Sequence, residues 1–172
     1  YLRQNPFKAS VIRAEKVDSA ASKGALQISQ LNAMIEANES MEYDGRIAPL
    51  LRFRNGLVLK FLYLTAARRG EAADLLWEDI LQDGSFHVAV LRHTKSRKEQ
   101  RIKLRTELHA EFEEWRTMLQ SNNIISPHVF PSLGFRTLGK KMCGKGINDI
   151  VARLGQAIGL TISAHYPRPT AI

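Results

Sequence analysis

Two adjacent arginines are the first residues whose type and setting could do chemistry. They lie in Thr65-Ala66-Ala67-Arg68-Arg69-Gly70-Glu71, after a long apolar run and shortly before Leu75-Leu76-Trp77-Glu78-Asp79-Ile80. A guanidinium turned inward without a partner is costly. Glu71, three residues after Arg68, can pair with it on a helix face. Alone, that pair reads as a surface ion pair as readily as a functional one. Other chemistries find no support. His87, His93, His109, His128 and His165 share no metal-ligand spacing, and no His-Glu-x-x-His occurs. The Gly-rich stretch from 139 to 146 lacks the Walker pattern, and no Gly-x-Gly-x-x-Gly follows a strand. Lys140, Lys141 and Lys145 within it read either as phosphate contacts or as part of a solvated basic loop. No Gly-x-Ser-x-Gly supports a nucleophilic serine. Neither metal nor any other cofactor is expected.

Helices and one small sheet must position these residues. Ser29 is a candidate N-cap for a helix to about residue 39, with Leu31, Met34 and Ile35 on one face. From 48 to 67 the apolar positions Leu50, Leu51, Phe53, Leu57, Val58, Phe61, Leu62 and Leu64 predict a central helix interrupted only by Gly56. A shorter helix follows over 69–76. Asp83-Gly84 signals a hairpin turn, after which Phe86, Val88 and Val90 alternate with Ser85, His87 and Ala89. With Ile102 and Leu104 beyond a polar loop at 94–100, this predicts a three-strand meander over roughly 78–105. Phe86, Val88 and Val90 are expected to face inward. Thr106 is expected to cap a helix with Leu108, Phe112, Trp115 and Leu119 on one side. Val129-Phe130 reads as extended, and a last helix is predicted over about 147–158, ending at Gly159. Trp77 and Cys143 are expected in the packed interior, and Arg69 in solvent.

Composition narrows the function. The 172 residues suffice for one domain with a sizeable core. Lys plus Arg number 25 and Asp plus Glu 17, a net charge of +8, and the pI is about 9.9. A domain this basic is expected to meet a polyanion, nucleic acid first and an anionic membrane surface second. Between residues 92 and 105 there are seven Lys or Arg and one Glu, whereas 106–116 hold four Glu and one Arg. One sheet edge is thus strongly positive, either merely solvated or contacting phosphates. The single cysteine excludes a disulfide scaffold and a Cys-rich zinc module. No apolar run approaches the roughly 20 residues of a membrane span. With no apolar leader at residues 1–6, the expected compartment is the cytoplasm.

Taken in order, these segments resemble a known family. Thr65 to Glu71 with its Leu-Trp-Glu-Asp-Ile tail is similar to the first-arginine motif of the tyrosine recombinases, the phage integrase family. There the usual pattern is Thr-Gly-Leu/Ala-Arg-x-Gly/Ser-Glu and then Leu-x-Trp-x-Asp. Thr94-Lys95-Ser96 followed by Arg101-Ile102-Lys103-Leu104 resembles that family's lysine hairpin. His165-Tyr166-Pro167-Arg168 resembles its His-x-x-Arg element. The resemblance runs from about residue 25. It implies an α+β, mainly α fold: a helical catalytic domain with a small three-stranded antiparallel sheet on one side. Residues 1–24 would be an arm from an N-terminal DNA-binding domain, and 25–172 a catalytic domain ending before its nucleophile.

The resemblance also implies a mechanism. A tyrosine attacks the scissile phosphate of double-stranded DNA, giving a 3′-phosphotyrosine and a free 5′-hydroxyl. Arg68 and Arg168 would clamp the non-bridging oxygens, since guanidinium stays charged and offers a planar fork of donors. Lys95 would protonate the leaving 5′-oxygen, with Lys98 close enough to take its place. His165 would bond the phosphate or take the nucleophile's proton, or be a turn histidine without a catalytic part. Glu71 would orient an arginine. Arg92, Arg97, Lys98, Arg101, Lys140, Lys141 and Lys145 are the expected DNA contacts. Family members assemble on DNA as tetramers by exchanging C-terminal segments. The given residues are expected to be monomeric in solution, and the parent to be nucleoid-associated.

Two departures stand against the family pattern. Arg168 lies between Pro167 and Pro169, which biases its backbone toward extended geometry. Tyr1, Tyr43, Tyr63 and Tyr166 are not where the family places its nucleophile. Two alternatives therefore stay open: a non-catalytic DNA-binding remnant of a recombinase, and an enzyme resembling type IB topoisomerases. A protein unrelated to DNA would bind duplex weakly even at low salt.

Overall fold

A computed structural model describes residues 26–92 and 99–164. The elements run α1 (Ile28–Ser40), α2 (Ala48–Thr65), α3 (Arg69–Asp74), β1 (Ile80–Asp83), β2 (Phe86–Leu91), β3 (Gln100–Leu104), α4 (Thr106–Ser121) and α5 (Gly144–Ala157), with a single 3₁₀ turn at Trp77–Asp79. This is the mainly helical architecture with one small sheet that the sequence predicts.

The apolar circumference of α2 makes it the centre. Leu57, Val58, Leu59, Phe61 and Leu62 are fully buried, and α1, α3, α4 and α5 all pack on this helix. Pro49 stands in its first turn, where a missing N–H costs nothing. Phe61, Phe112 and Phe130 meet at ring-centroid distances of 5.6–6.1 Å, joining α2, α4 and the 129–130 segment. The predicted stripe of α4, Leu108, Phe112, Trp115 and Leu119, is buried throughout. Lys60 and Glu111 add an ion pair of 2.7 Å between α2 and α4.

Helix starts depart from the sequence expectations for local reasons. Ser29 does not cap α1. Gln30 Oε1 accepts the Gln27 backbone N–H at 2.9 Å, so Gln27 caps the helix and Ser29 lies inside it. Thr106 is the first residue of α4 and Arg105 its cap. The last helix begins at Gly144, three residues early, with Cys143 as its cap. Cys143 is accordingly exposed, not packed.

The sheet is antiparallel in the order β1-β2-β3, with the Gly84-Ser85 turn at φ +61° for Gly84. The expected inward set holds for Val88 and Val90, which are buried, and fails for Phe86, which is exposed; Ala89, expected to face out, is buried as well. Ile80, Ala89 and Ile102 are cross-strand partners on one face, as are Gln82, His87 and Leu104. That face, with Leu91, meets the core. Phe86, Val88 and Val90 lie on the other, where Phe86 is exposed and its ring receives Lys103 Nζ at 4.5 Å. Both faces of β2 are covered: Ala89 and Leu91 join the core cluster, and Val88 and Val90 on the other face are buried too.

Where β2 meets α4, the His87 and His109 rings stack with centroids 3.5 Å apart and planes 10° from parallel. Burial, and then the neighbouring His87, hold His109 below its ordinary value, while Glu113 at 3.9 Å opposes them. His128 is also depressed, by burial first and Lys141 second, against Asp74. A histidine depressed in the fold binds its proton more readily unfolded. Its contribution is therefore intact above the unfolded value and lost as pH falls below about 6.5. The urea midpoint should drop between pH 7.5 and 5, and His109→Gln should reduce that drop; an unchanged slope would discard the account.

Candidate functional site

The end of α2 aims the arginine motif. Thr65 Oγ1 donates to the Phe61 carbonyl at 2.6 Å and accepts the Ala67 N–H at 3.3 Å, closing the helix with its own side chain. Ala66 then turns left-handed, at φ +53°. Glycine takes such a conformation without the steric cost that a Cβ carries. Ala66→Gly should therefore stabilise the fold by about 1 kcal/mol, read as a raised urea midpoint; an unchanged or lower midpoint would show that no strain is held there.

Past this turn Arg68 is the residue that opens α3. Glu71, 6% exposed, fixes it twice. Oε2 accepts the Arg68 backbone N–H at 2.6 Å, and Oε1 accepts guanidinium Nη1 at 2.8 Å. The Arg68 side chain is 39% exposed and that of Glu71 4%. The result is a guanidinium held from behind by a buried carboxylate, with its remaining donors open to solvent. Arg69 is exposed, as expected.

Three more elements converge on α3. The start of α5 packs on the start of α3 at Gly144, with room for an ordinary Cβ contact. A Cβ there would lie 3.5 Å from Arg69 Cγ and 3.7 Å from the Gly70 nitrogen. Lys141, just before α5, forms an ion pair with Asp74 on α3. On the other side, Asp79 is buried and accepts the Leu76 N–H at 3.1 Å. It also pairs with Arg92 at the end of β2, whose Nη2 lies 3.5 Å from Glu78. Glu71, Asp74, Asp79 and Arg92 line one small cleft of about 30 Å3. Further along, Asn148 Oδ1 accepts the Ala164 N–H at 3.0 Å, tying the residue before His165 to the second turn of α5.

Among the predicted site residues, then, Arg68, Glu71, Arg92 and Lys141 gather around α3. Lys145 lies on the first turn of α5 and pairs with Asp149 at 2.8 Å. Arg101 is exposed on β3 and pairs with Glu99 at 3.3 Å, and Lys140 is exposed. Lys95, Arg97, Lys98, His165 and Arg168 lie outside the described residues. Trp77 is half-buried under Arg116, whose guanidinium carbon sits 5.3 Å from the ring centroid. Sequence reasoning missed Asp79 and Asn148. Asp79 carried a signal, the last position of Leu-x-Trp-x-Asp; Asn148 carried none. Among the described residues no three His, Cys, Asp or Glu side chains are grouped to hold a metal ion, and no helix is long and apolar enough to cross a membrane.

A helical core, a three-strand meander and an arginine fixed at the mouth of α3 define the catalytic-domain fold of the tyrosine recombinases. The chain belongs to the phage integrase family, whose model matches residues 25–171. Among solved structures it is similar to the XerH site-specific recombinase bound to palindromic difH substrate in a post-cleavage complex. The TM-score is 0.64 at 19% identity, covering 84% of this chain and 39% of that one. It is similar to XerA recombinase (0.61, 18%, 84% and 47%) and to the lambda integrase catalytic core (0.61, 15%, 84% and 78%). The chain thus spans about two fifths of the length of the XerH protein. No curated protein sequence matched it.

Proposed function

We propose that residues 25–172 form the catalytic domain of a site-specific DNA recombinase, joined to a DNA-binding domain through an arm at 1–24. The substrate is double-stranded DNA, cut and resealed through a 3′-phosphotyrosine. The observation that carries this reading is the Arg68–Glu71 unit. Its guanidinium is oriented before any ligand arrives and stands at a helix N-terminus, where anions are favoured. A preorganised cation stabilises charge that grows in the transition state without reorganisation at the moment of reaction. In this reading Arg168 is the second arm of the clamp, Lys95 the general acid and His165 a phosphate ligand or base. The Ala164 N–H on Asn148 Oδ1 ties the chain to α5, a helix that packs on α3, which is in keeping with this reading. Arg101, Lys140 and Lys145 are exposed cations that suit phosphate contact. Arg92 and Lys141 serve as braces as well, since each is paired with an aspartate. Arg97 and Lys98 complete the basic hairpin. The parent assembles as a tetramer on DNA in the nucleoid, whereas these residues alone are monomeric and do not cleave, lacking a tyrosine in the family's position.

The test joins residues 1–172 to a family-like C-terminal segment carrying the tyrosine and supplies a nicked suicide substrate. A covalent protein–DNA adduct is expected, with duplex binding that falls steeply with salt as counterions are released. Pro167 and Pro169 on either side of Arg168 favour a second reading, a DNA-binding remnant, which predicts salt-dependent binding and no adduct. Relaxation of supercoiled DNA without a specific site would instead favour a topoisomerase-like activity.

A further inference from the structure

The groove between α2, α5 and the segment 132–143 shares only Lys141 with the residues gathered around α3. It holds about 620 Å3, enough for several side chains of a ligand. Ile47, Leu51, Leu133, Met142 and Ile150 make it largely apolar. Arg54 also lines it and is 7% exposed. Its Nε and Nη2 donate to Asn55 Oδ1 at 3.2 and 3.0 Å, and its Nη1 to the Pro131 carbonyl at 3.2 Å. Every one of these partners is neutral. Burial without a counter-charge pulls this arginine down to about 10. A buried charge with only neutral partners gains from a carboxylate brought beside it.

A second guanidinium borders the same groove. Arg153 of α5 is exposed and lies 5.2 Å from the Tyr43 ring centroid. No described carboxylate forms an ion pair with Arg54 or Arg153. The other charged lining residues are already matched, Lys141 with Asp74 and Asp149 with Lys145. The groove therefore offers two unmatched cations among apolar side chains. A nucleic-acid backbone would satisfy the cations but brings little apolar surface to cover Leu51, Met142 and Ile150.

We propose that this groove binds an acidic, apolar stretch of polypeptide from a partner protein, with a carboxylate on Arg54 and Arg153 and a large apolar side chain beside it. Anchors of this kind, one apolar group with a charged neighbour, carry most of the energy of a peptide interface.

The 172-residue protein, labelled, is applied to an array of immobilised octapeptides of even composition. The bound set should be enriched in Asp or Glu next to Leu, Ile, Met or Phe. Arg153→Glu, an exposed change, should lower the signal of that set by about tenfold or more at an unchanged melting temperature. Arg54→Met keeps the volume and removes the charge. It leaves Asn55 Oδ1 and the Pro131 carbonyl without their donor, so folding is checked first by its melting temperature; the folded variant should narrow the preference for acidic over amide versions of one peptide. A twenty-base-pair duplex in excess should leave the peptide signal in place. An array without acidic preference, an array that binds nothing, retention of the same set by both folded variants, or displacement by the duplex would each overturn the proposal.

Discussion

Arg68→Ala, in the chain joined to a family-like segment carrying the tyrosine, is expected to lower strand cleavage by roughly 10²–10³-fold. Duplex affinity should change little, because one arginine is one phosphate contact among many. The asymmetry follows from where charge appears. In the ground state the phosphodiester carries one negative charge, which several exposed cations share. In the transition state more charge collects on the non-bridging oxygens, and a donor fixed there stabilises it most. Arg68→Lys should recover little, since an ammonium cannot present the planar fork and cannot hold Glu71 through Nη1 in the same geometry. Adduct yield on the suicide substrate, beside a binding isotherm at fixed salt, separates the two effects. Equal losses in cleavage and affinity would mean that Arg68 merely binds DNA. An adduct formed at the original rate would remove Arg68 from the chemistry altogether.

Glu71 tests the same unit from behind. Its carboxylate holds both the backbone and the guanidinium of Arg68, and 4% of its side chain is exposed. This much was legible in the sequence, because the two partners are three residues apart and the helix rule joins them. The Arg92–Asp79 pair lay within one motif's reach, thirteen residues apart, yet the sequence suggested only a DNA contact for Arg92. Lys141 and Asp74, or Ala164 and Asn148, meet only because α5 docks on α3 at Gly144, and no local pattern announces that docking. Burial stripes such as Leu108-Phe112-Trp115-Leu119 could be read because one helical face recurs along the chain. The face of β2 could not be read by alternation. Its apolar residues stand at both parities, and Val88, Ala89, Val90 and Leu91 are all buried, so both of its faces are covered.

Trp115→Ala should do by collapse what Arg68→Ala is expected to do by chemistry, and the two can be told apart. Trp115 is fully buried on α4 and stacks on Phe53 of α2, with ring centroids 6.0 Å apart. Its indole N–H donates to the Val129 carbonyl at 2.7 Å. Truncation to alanine opens a large cavity and costs about 3–5 kcal/mol. It also leaves that carbonyl without its donor, which adds about 1–3 kcal/mol if water cannot reach it. Against a total stability of about 5–15 kcal/mol, the variant is close to unfolding at room temperature. Trp115→Phe keeps most of the ring and loses the hydrogen bond, so it should fall between. Urea unfolding followed by circular dichroism orders the three, and Arg68→Ala, which leaves the buried Glu71 carboxylate without its guanidinium, should lose less stability than Trp115→Ala. Should Trp115→Ala unfold at the original urea concentration, the seam between α2 and α4 would not be what holds Arg68 at its helix mouth, and the support for the arginine would have to come from α1 and α5.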